Sequence, residues 1–153
     1  EAAFDVEAVR VRRANDLPFD EREYKRWMRQ AEHSLESSRR DREAGDHDWS
    51  CFKAQQAAEF AVKALLYGIG VAAVGHSVSK LAGEIETRGI AVDQAILSSA
   101  RALDRHYIPT RYPNAYASGA PFEFYDADTS REAIQEAGDI ITFVKDAARQ
   151  WAR

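Results

Sequence analysis

The chain has 153 residues, of which 45% are hydrophobic and 30% are charged, a composition that indicates one globular domain and excludes disorder throughout. Its formal net charge of -4 excludes a global basic field that would draw the protein to nucleic acid or to an anionic membrane. Cys51 is the only cysteine, which excludes an internal disulfide framework and a cysteine-based zinc site and is typical of a cytoplasmic protein.

Residues 1–19 show no strong hydrophobic periodicity, and we expect them to form a leader that ends near the chain break at Pro18. The leader lacks the pattern of a secretory signal peptide. No apolar run in the chain approaches the roughly 20 residues that a membrane-spanning helix needs. We therefore predict a bundle domain over residues 20–153 that does not associate with a membrane.

The first helix is predicted to begin after Asp20, because Asp20 and Glu23 have the spacing of a capping box. It is predicted to end near Ala44, since Gly45 follows in the usual position of a C-terminal glycine. Its apolar residues recur three and four positions apart, which predicts one buried stripe. The stripe consists of Tyr24, Trp27, Met28, Ala31 and Leu35.

A second helix is predicted to begin with Asp46 or Asp48 as its cap and to run to about Tyr67. Its apolar stripe is wide, so we expect this helix to be the central one of the bundle. The stripe contains Trp49, Phe52, Ala57, Phe60, Ala61, Ala64 and Leu65.

Two shorter helices follow a glycine-rich break. The third helix is predicted from His76 or Ser77 to about Thr87, and the fourth from about Val92 to His106. Their inward-facing residues are predicted to be Val78, Leu81, Ile85, Ile96, Leu97, Ala100 and Leu103.

The segment from Tyr107 to Asp128 contains three of the four prolines, so helix is not expected there. Thr129 and Glu132 have capping-box spacing and predict the start of a last helix that ends near Trp151. The sequence contains no strand pattern of any length and no internal repeat. The predicted fold is an all-α, up-and-down bundle of four to five helices.

Two segments of the sequence are distinctive when they are taken together. KAQQAAEFAVKALL occupies residues 53–66 and is followed by a glycine-rich break and His76, while LDRHYIPTRYPN occupies residues 103–114. This pair resembles the prokaryotic HEPN domain family, in the branch with an Arg-Tyr-Pro loop before its last helix. The similarity runs from about Tyr24 to Ala148. It implies a helical up-and-down bundle that forms a homodimer and pairs with a minimal nucleotidyltransferase, in a toxin–antitoxin-like relationship.

The resemblance leaves three functions open. The first is a dimeric partner of a minimal nucleotidyltransferase that contacts nucleotide or RNA through the loop at residues 106–125. The second is a metal-independent endoribonuclease, since some branches of the family have that activity. The third is a non-catalytic nucleotide-binding module.

Arg101 and His106 are the candidate catalytic pair, because the ribonuclease branches have an arginine followed by a histidine after four to six residues. A histidine moves protons near neutral pH, and an adjacent arginine stabilises charge on a phosphate. The pattern has little specificity, since Arg42 with His47 satisfies it by chance. Ala102 also departs from the polar residue usual after that arginine.

The loop that follows the fourth helix has two interpretations. In the first it is a phosphate and base platform, in which Arg111 and Arg105 bind phosphate while Tyr107 and Tyr112 stack on bases. In the second, prolines and tyrosines anchor the loop over the end of the bundle, and Arg111 pairs with an acid such as Asp104.

Lys53, Gln56, Glu59 and Lys63 lie three or four residues apart on the second helix. Gln56 and Lys63 could face a nucleotide in a cleft between helices; the alternative is a solvated face with a Glu59–Lys63 pair worth about a few tenths of a kcal/mol. We expect His76 to cap or pack at a helix start. Neither a metal nor a cofactor is predicted, because no set of metal ligands has a fitting spacing.

Overall fold

A computed structural model describes residues 18–151, so nearly all of the predicted leader lies outside the described residues, and the predicted division at residue 20 stays a prediction. Within that range the chain forms five α-helices and no strand, which confirms the all-α class. The helices are α1 (Glu21–Glu43), α2 (His47–Gly68), α3 (Val78–Thr87), α4 (Gln94–Asp104) and α5 (Ala127–Trp151).

Helix α2 is the centre of the bundle, as its wide apolar stripe predicts. It packs against each of the other four helices, most extensively against α1 and α5. Its core positions include Ala54, Ala57, Ala58, Ala61 and Ala64, all fully buried. Side chains this small let neighbouring helices approach closely, so α2 can be surrounded on several sides. None of the helices between residues 18 and 151 is long and apolar enough to cross a membrane.

Short polar side chains set where most helices begin. Asp20 accepts a hydrogen bond from the Glu23 amide at 3.1 Å and thereby caps α1 as predicted. Ser77 caps α3 in the same way through the Lys80 amide at 3.2 Å. Asp46 precedes α2 as one of its two predicted caps, but its side chain accepts no bond from the helix backbone.

The predicted start of α5 is wrong by a few residues. Asp126 accepts hydrogen bonds from the amide and the hydroxyl of Thr129, each at 2.8 Å, and the helix begins at Ala127. The Thr129–Glu132 capping box therefore does not form. Asp126 is itself a preferred capping residue three positions earlier, so the chain satisfies the first helical amides there.

The loop between α4 and α5 contains two short 3-10 helices, Pro113–Ala115 and Pro121–Phe124, and no α-helix. Tyr116 and Phe124 stack with ring centroids 4.3 Å apart, which closes the second half of the loop on itself. Gly119 has a φ of +84°, and a Cβ there would lie 3.2 Å from the Phe124 ring, so glycine suits this turn. The loop is therefore compact and anchored.

Candidate functional site

The charged residues in the middle of α2 suggest a helix face that is exposed to solvent. In the structure, Glu59 and Lys63 of this face are buried. Glu59 is 2% exposed and Lys63 is 8% exposed, and Lys63 Nζ lies 3.1 Å from Glu59 Oε2. The expectation of a surface pair is therefore wrong. A buried carboxylate and ammonium are expensive to remove from water, so this face needs further partners.

These further partners contact the other carboxylate oxygen of Glu59. Glu59 Oε1 lies 3.2 Å from His76 Nδ1 and 3.4 Å from the amide nitrogens of Gln55 and Gln56. Gln55 also donates to the backbone carbonyl of His76 at 2.9 Å. We call Gln55, Gln56, Glu59, Lys63 and His76 the Glu59 network. It ties the segment before α3 to the middle of α2.

His76 connects this network to the loop after α4. Its ring stacks on Tyr107, with centroids 4.8 Å apart and planes inclined by 20°. Tyr107 in turn lies next to Arg111, whose guanidinium carbon is 4.9 Å from the Tyr107 ring. Three segments that are far apart in the sequence thus meet on one side of α2.

Arg111 lies among aromatic rings. Its guanidinium is 4.0 Å from the Phe52 ring centre and 5.0 Å from that of Tyr112, and its Nε donates to the Tyr107 carbonyl at 3.0 Å. The predicted pairing of Arg111 with Asp104 is wrong. Asp104 instead accepts hydrogen bonds from the Ser77 hydroxyl and from backbone amides at the start of α3.

We call Trp49, Phe52, Tyr107, Arg111 and Tyr112 the arginine–aromatic surface. Trp49 is 47% exposed and Tyr112 is 46% exposed, so the surface is open to solvent. No acidic side chain between residues 18 and 151 forms an ion pair with Arg111. The positive charge is thus held in place by rings and a carbonyl, without a carboxylate to neutralise it.

The two residues of the predicted catalytic pair have different surroundings. Arg101 is exposed in the last turn of α4, and His106 packs edge-on against Tyr125 with centroids 5.7 Å apart. His106 Nδ1 is buried and has no hydrogen-bond partner among residues 18–151. Burial and the nearby charge of Arg105 lower the pKa of His106. No group of the described chain orients this imidazole, which weighs against a role as acid or base.

Arg105, the remaining predicted contact residue, lies at the C-terminal end of α4 and is exposed. Its charge also acts on Glu136 of α5, where burial and the neighbouring Glu132 and Asp139 raise the pKa of the carboxyl to about 7 while Arg105 opposes the rise. Burial raises the pKa of the Cys51 thiol to about 12, so this cysteine is an unreactive core residue.

Of the predicted binding residues, Gln56, Lys63, Tyr107, Arg111 and Tyr112 lie along one side of α2, whereas Arg105 lies apart from them. The residues that join them, Phe52, Glu59 and His76, are not among the binding residues predicted from the sequence. The sequence predicts Glu59 in a surface pair, His76 capping or packing at a helix start, and Phe52 in the apolar stripe of the second helix. The spacing of residues 55, 56, 59 and 63 was visible in the sequence, but the contact with His76 spans 17 residues along the chain.

The structure has a groove on another side of the bundle. The groove of about 530 Å³ runs between α1 and α5 and is lined by Tyr24, Met28, Glu32, Lys145 and Arg149 among others. It shares no residue with the Glu59 network or the arginine–aromatic surface. The candidate site is a different, open surface, on which Trp49 and Tyr112 are exposed.

The sequence model of the HEPN domain family matches residues 24–147, a range that includes the whole Glu59 network and the arginine–aromatic surface. A search of curated protein sequences finds no significant match.

Several solved structures are similar to this chain. TT1696 from Thermus thermophilus has a TM-score of 0.79 and 36% identity, over 81% of this chain and 97% of that one. ST0689, an archaeal HEPN homologue, has a TM-score of 0.70 and 38% identity, over 82% and 97%. A HEPN domain protein, TM0613, from Thermotoga maritima has a TM-score of 0.65 and 32% identity, over 79% and 95%.

Proposed function

The chain belongs to the HEPN domain family, and from this premise we propose that it is a binding module that contacts nucleotide or RNA through the arginine–aromatic surface. The resemblance read from the sequence and the bundle fold are both confirmed. As its cellular role we propose a homodimer that partners a minimal nucleotidyltransferase in a toxin–antitoxin-like pair.

The charge and setting of Arg111 are the main support for the proposal. A guanidinium binds phosphate through paired N–H groups, and it keeps donors free here because only some of them point to the Tyr107 carbonyl. Phe52 and Tyr107 hold it in one place, which reduces the entropy lost when a phosphate binds. A fixed arginine without a carboxylate partner favours an anionic ligand.

The exposed rings beside Arg111 support the same class of ligand. Trp49 and Tyr112 present open aromatic faces. Stacking of a base on such a face is worth about 1–3 kcal/mol and tolerates any sequence. A surface that combines one arginine with open aromatic rings is therefore suited to a nucleotide or to single-stranded RNA.

Catalysis by Arg101 and His106 is the competing proposal. It requires an imidazole that is open to RNA and oriented by an acceptor, and His106 has a buried, unpartnered Nδ1 against Tyr125 in the described chain. Incubation of the purified protein with RNA in EDTA tests this alternative. We expect intact RNA, whereas cleavage that is lost in His106→Ala would favour the ribonuclease.

Fluorescence anisotropy with a labelled oligouridylate of about 12 nucleotides tests the binding proposal. Tyr112→Ala should weaken binding by about tenfold, because it removes one open stacking face. Arg111→Gln should weaken binding and reduce the slope of log affinity against log salt by about 0.7, as expected for one lost phosphate contact.

The control variant for this experiment is Phe122→Ala. Phe122 is the most exposed aromatic residue of the same loop at 65%, and it is not part of the arginine–aromatic surface. Its removal should leave RNA affinity within about twofold of the wild type. Equal losses in Tyr112→Ala and Phe122→Ala would contradict the proposed location of the site, and an absence of binding to oligouridylate and to ATP would contradict the function.

A further inference from the structure

The hydrogen bond between His76 and Glu59 fixes which nitrogen of the imidazole faces solvent. A carboxylate only accepts hydrogen bonds, so the Nδ1 that lies 3.2 Å from Glu59 Oε1 carries the proton. In the neutral imidazole Nε2 is then an acceptor. The charge of Glu59 is already balanced by Lys63 at 3.1 Å, so the pair does not require a second cation.

The His76 side chain lies beside the proposed binding surface and is largely exposed. The side chain is 58% exposed, while Glu59, which holds it, is 2% exposed. The His76 ring and the Arg111 guanidinium lie 4.8 and 4.9 Å from the Tyr107 ring, on one side of α2. Both groups therefore contact the same ring, Tyr107. The orienting carboxylate is rigid because four donors surround it.

We propose that His76 Nε2 accepts a hydrogen bond from the ribose 2'-hydroxyl of a nucleotide whose phosphate binds Arg111, so that the surface selects RNA over DNA. This inference rests on the proposed RNA contact and identifies the part of the ligand that gives specificity. The 2'-hydroxyl is the group that distinguishes RNA from DNA at a binding site.

The chemistry of the exposed nitrogen favours the hydroxyl over the other groups of a nucleotide. A lone pair on Nε2 repels phosphate oxygen and therefore needs a donor. Bases carry donors only on their edges and differ from one another, whereas every ribonucleotide carries a 2'-hydroxyl next to its phosphate. An acceptor next to a phosphate-binding arginine thus matches the ribose of any RNA sequence.

The test compares three labelled strands of the same length: oligouridylate, its 2'-deoxy form and its 2'-fluoro form, which lacks the donor. Fluorescence anisotropy under one set of buffer conditions gives the three affinities. The wild type should bind the oligouridylate about three- to tenfold more tightly than the other two strands, as expected for one net hydrogen bond.

His76→Asn is the decisive variant. Its amide nitrogen takes the place of Nδ1 and can still donate to Glu59, but nothing replaces Nε2. The preference for RNA should fall to about onefold, and this ratio is the readout, because loss of the His76 ring stacked on Tyr107 acts on both strands alike. His33→Asn on the exposed face of α1 is the matched control and should keep the preference.

Each outcome separates this inference from the proposed function. Equal binding of all three strands by the wild type, or an unchanged preference in His76→Asn, overturns the ribose contact and leaves the binding module standing. A parallel loss of RNA and DNA affinity in His76→Asn that leaves their ratio unchanged also overturns it. Failure of every strand to bind overturns the proposed function, and this inference with it.

Discussion

At the scale of single residues, Glu59 determines the geometry of the site. Its buried carboxylate contacts Lys63 of α2 and His76 of the segment before α3, and His76 stacks on Tyr107 of the loop after α4. Removing one partner of such a pair leaves an uncompensated buried charge, which typically costs about 3–5 kcal/mol. Stability and the shape of the binding surface therefore depend on the same side chain.

The partly buried carboxyl of Glu136 predicts how the free energy of unfolding depends on pH. Burial raises its pKa from 4.5 to about 7, so between these values the folded chain holds a proton that the unfolded chain has released. The free energy of unfolding contributed by this group is therefore highest at low pH and falls as the pH rises through this window. Glu136→Gln should increase the free energy of unfolding by about 1 kcal/mol near pH 8, after allowance for solvent screening, and leave it unchanged near pH 4.

Urea denaturation at the two pH values measures this difference. Glu84→Gln, an exposed carboxylate of α3, serves as the control and should show no pH-dependent gain. A gain for Glu136→Gln that is the same at both pH values would show that the carboxyl is not the titrating group.

At the scale of elements, each helix boundary depends on the side chain that satisfies the first free amides. Asp20, Ser77 and Asp93 each accept a bond from the amide three residues on, and each lies within a few residues of the start that the sequence predicts. For α5 two such residues compete, and Asp126 prevails over Thr129 because it also binds the Thr129 hydroxyl.

Replacing Asp126 tests which residue caps α5. Asp126→Ala should lower the free energy of unfolding by about 1 kcal/mol, because it leaves the Thr129 amide without its acceptor. Glu132→Ala should change it by less than about 0.5 kcal/mol, because the capping box that would use Glu132 does not form. Thermal and urea denaturation of both variants give the comparison. A larger loss for Glu132→Ala would place the cap at Thr129 after all.

At the scale of the whole molecule, the segment before α1 closes against the far end of α2. The Phe19 ring lies against Gly68, where an added Cβ would be 2.5 Å from ring carbons, and the Asp20 amide donates to the Gly68 carbonyl at 2.7 Å. Phe19 also packs on Tyr24 with centroids 5.4 Å apart. The entry of the chain into the bundle is therefore set by a contact between residues about 50 positions apart.

A double-mutant cycle measures that contact. Alanine is favoured over glycine within a helix by about 1 kcal/mol, but at Gly68 it displaces the Phe19 ring, so Gly68→Ala should destabilise the protein by about 1 kcal/mol. In the Phe19→Ala background the same change should become stabilising. Urea denaturation of the four proteins gives the coupling energy, and a coupling near zero would contradict the packing described.

The sequence by itself determined the class of fold, the approximate limits of the five helices, the central place of α2 and the family. Helix periodicity, capping residues and prolines act within a few positions along the chain. Their effects can therefore be predicted from the sequence without a structure. The distinctive strings at residues 53–66 and 103–114 also contain most of the candidate binding residues.

Which of those residues contact one another depends on the tertiary structure. Spacing along α2 shows that Glu59 and Lys63 are neighbours, but their burial depends on how the other helices cover that face. The contacts of Glu59 with His76, of His76 with Tyr107, and of Arg111 with Phe52 join segments separated by 17 to 59 residues. Such contacts arise from the packing of helices and loops and not from any local pattern. The sequence therefore predicts individual residues of the site, whereas only the folded chain shows that they form one surface.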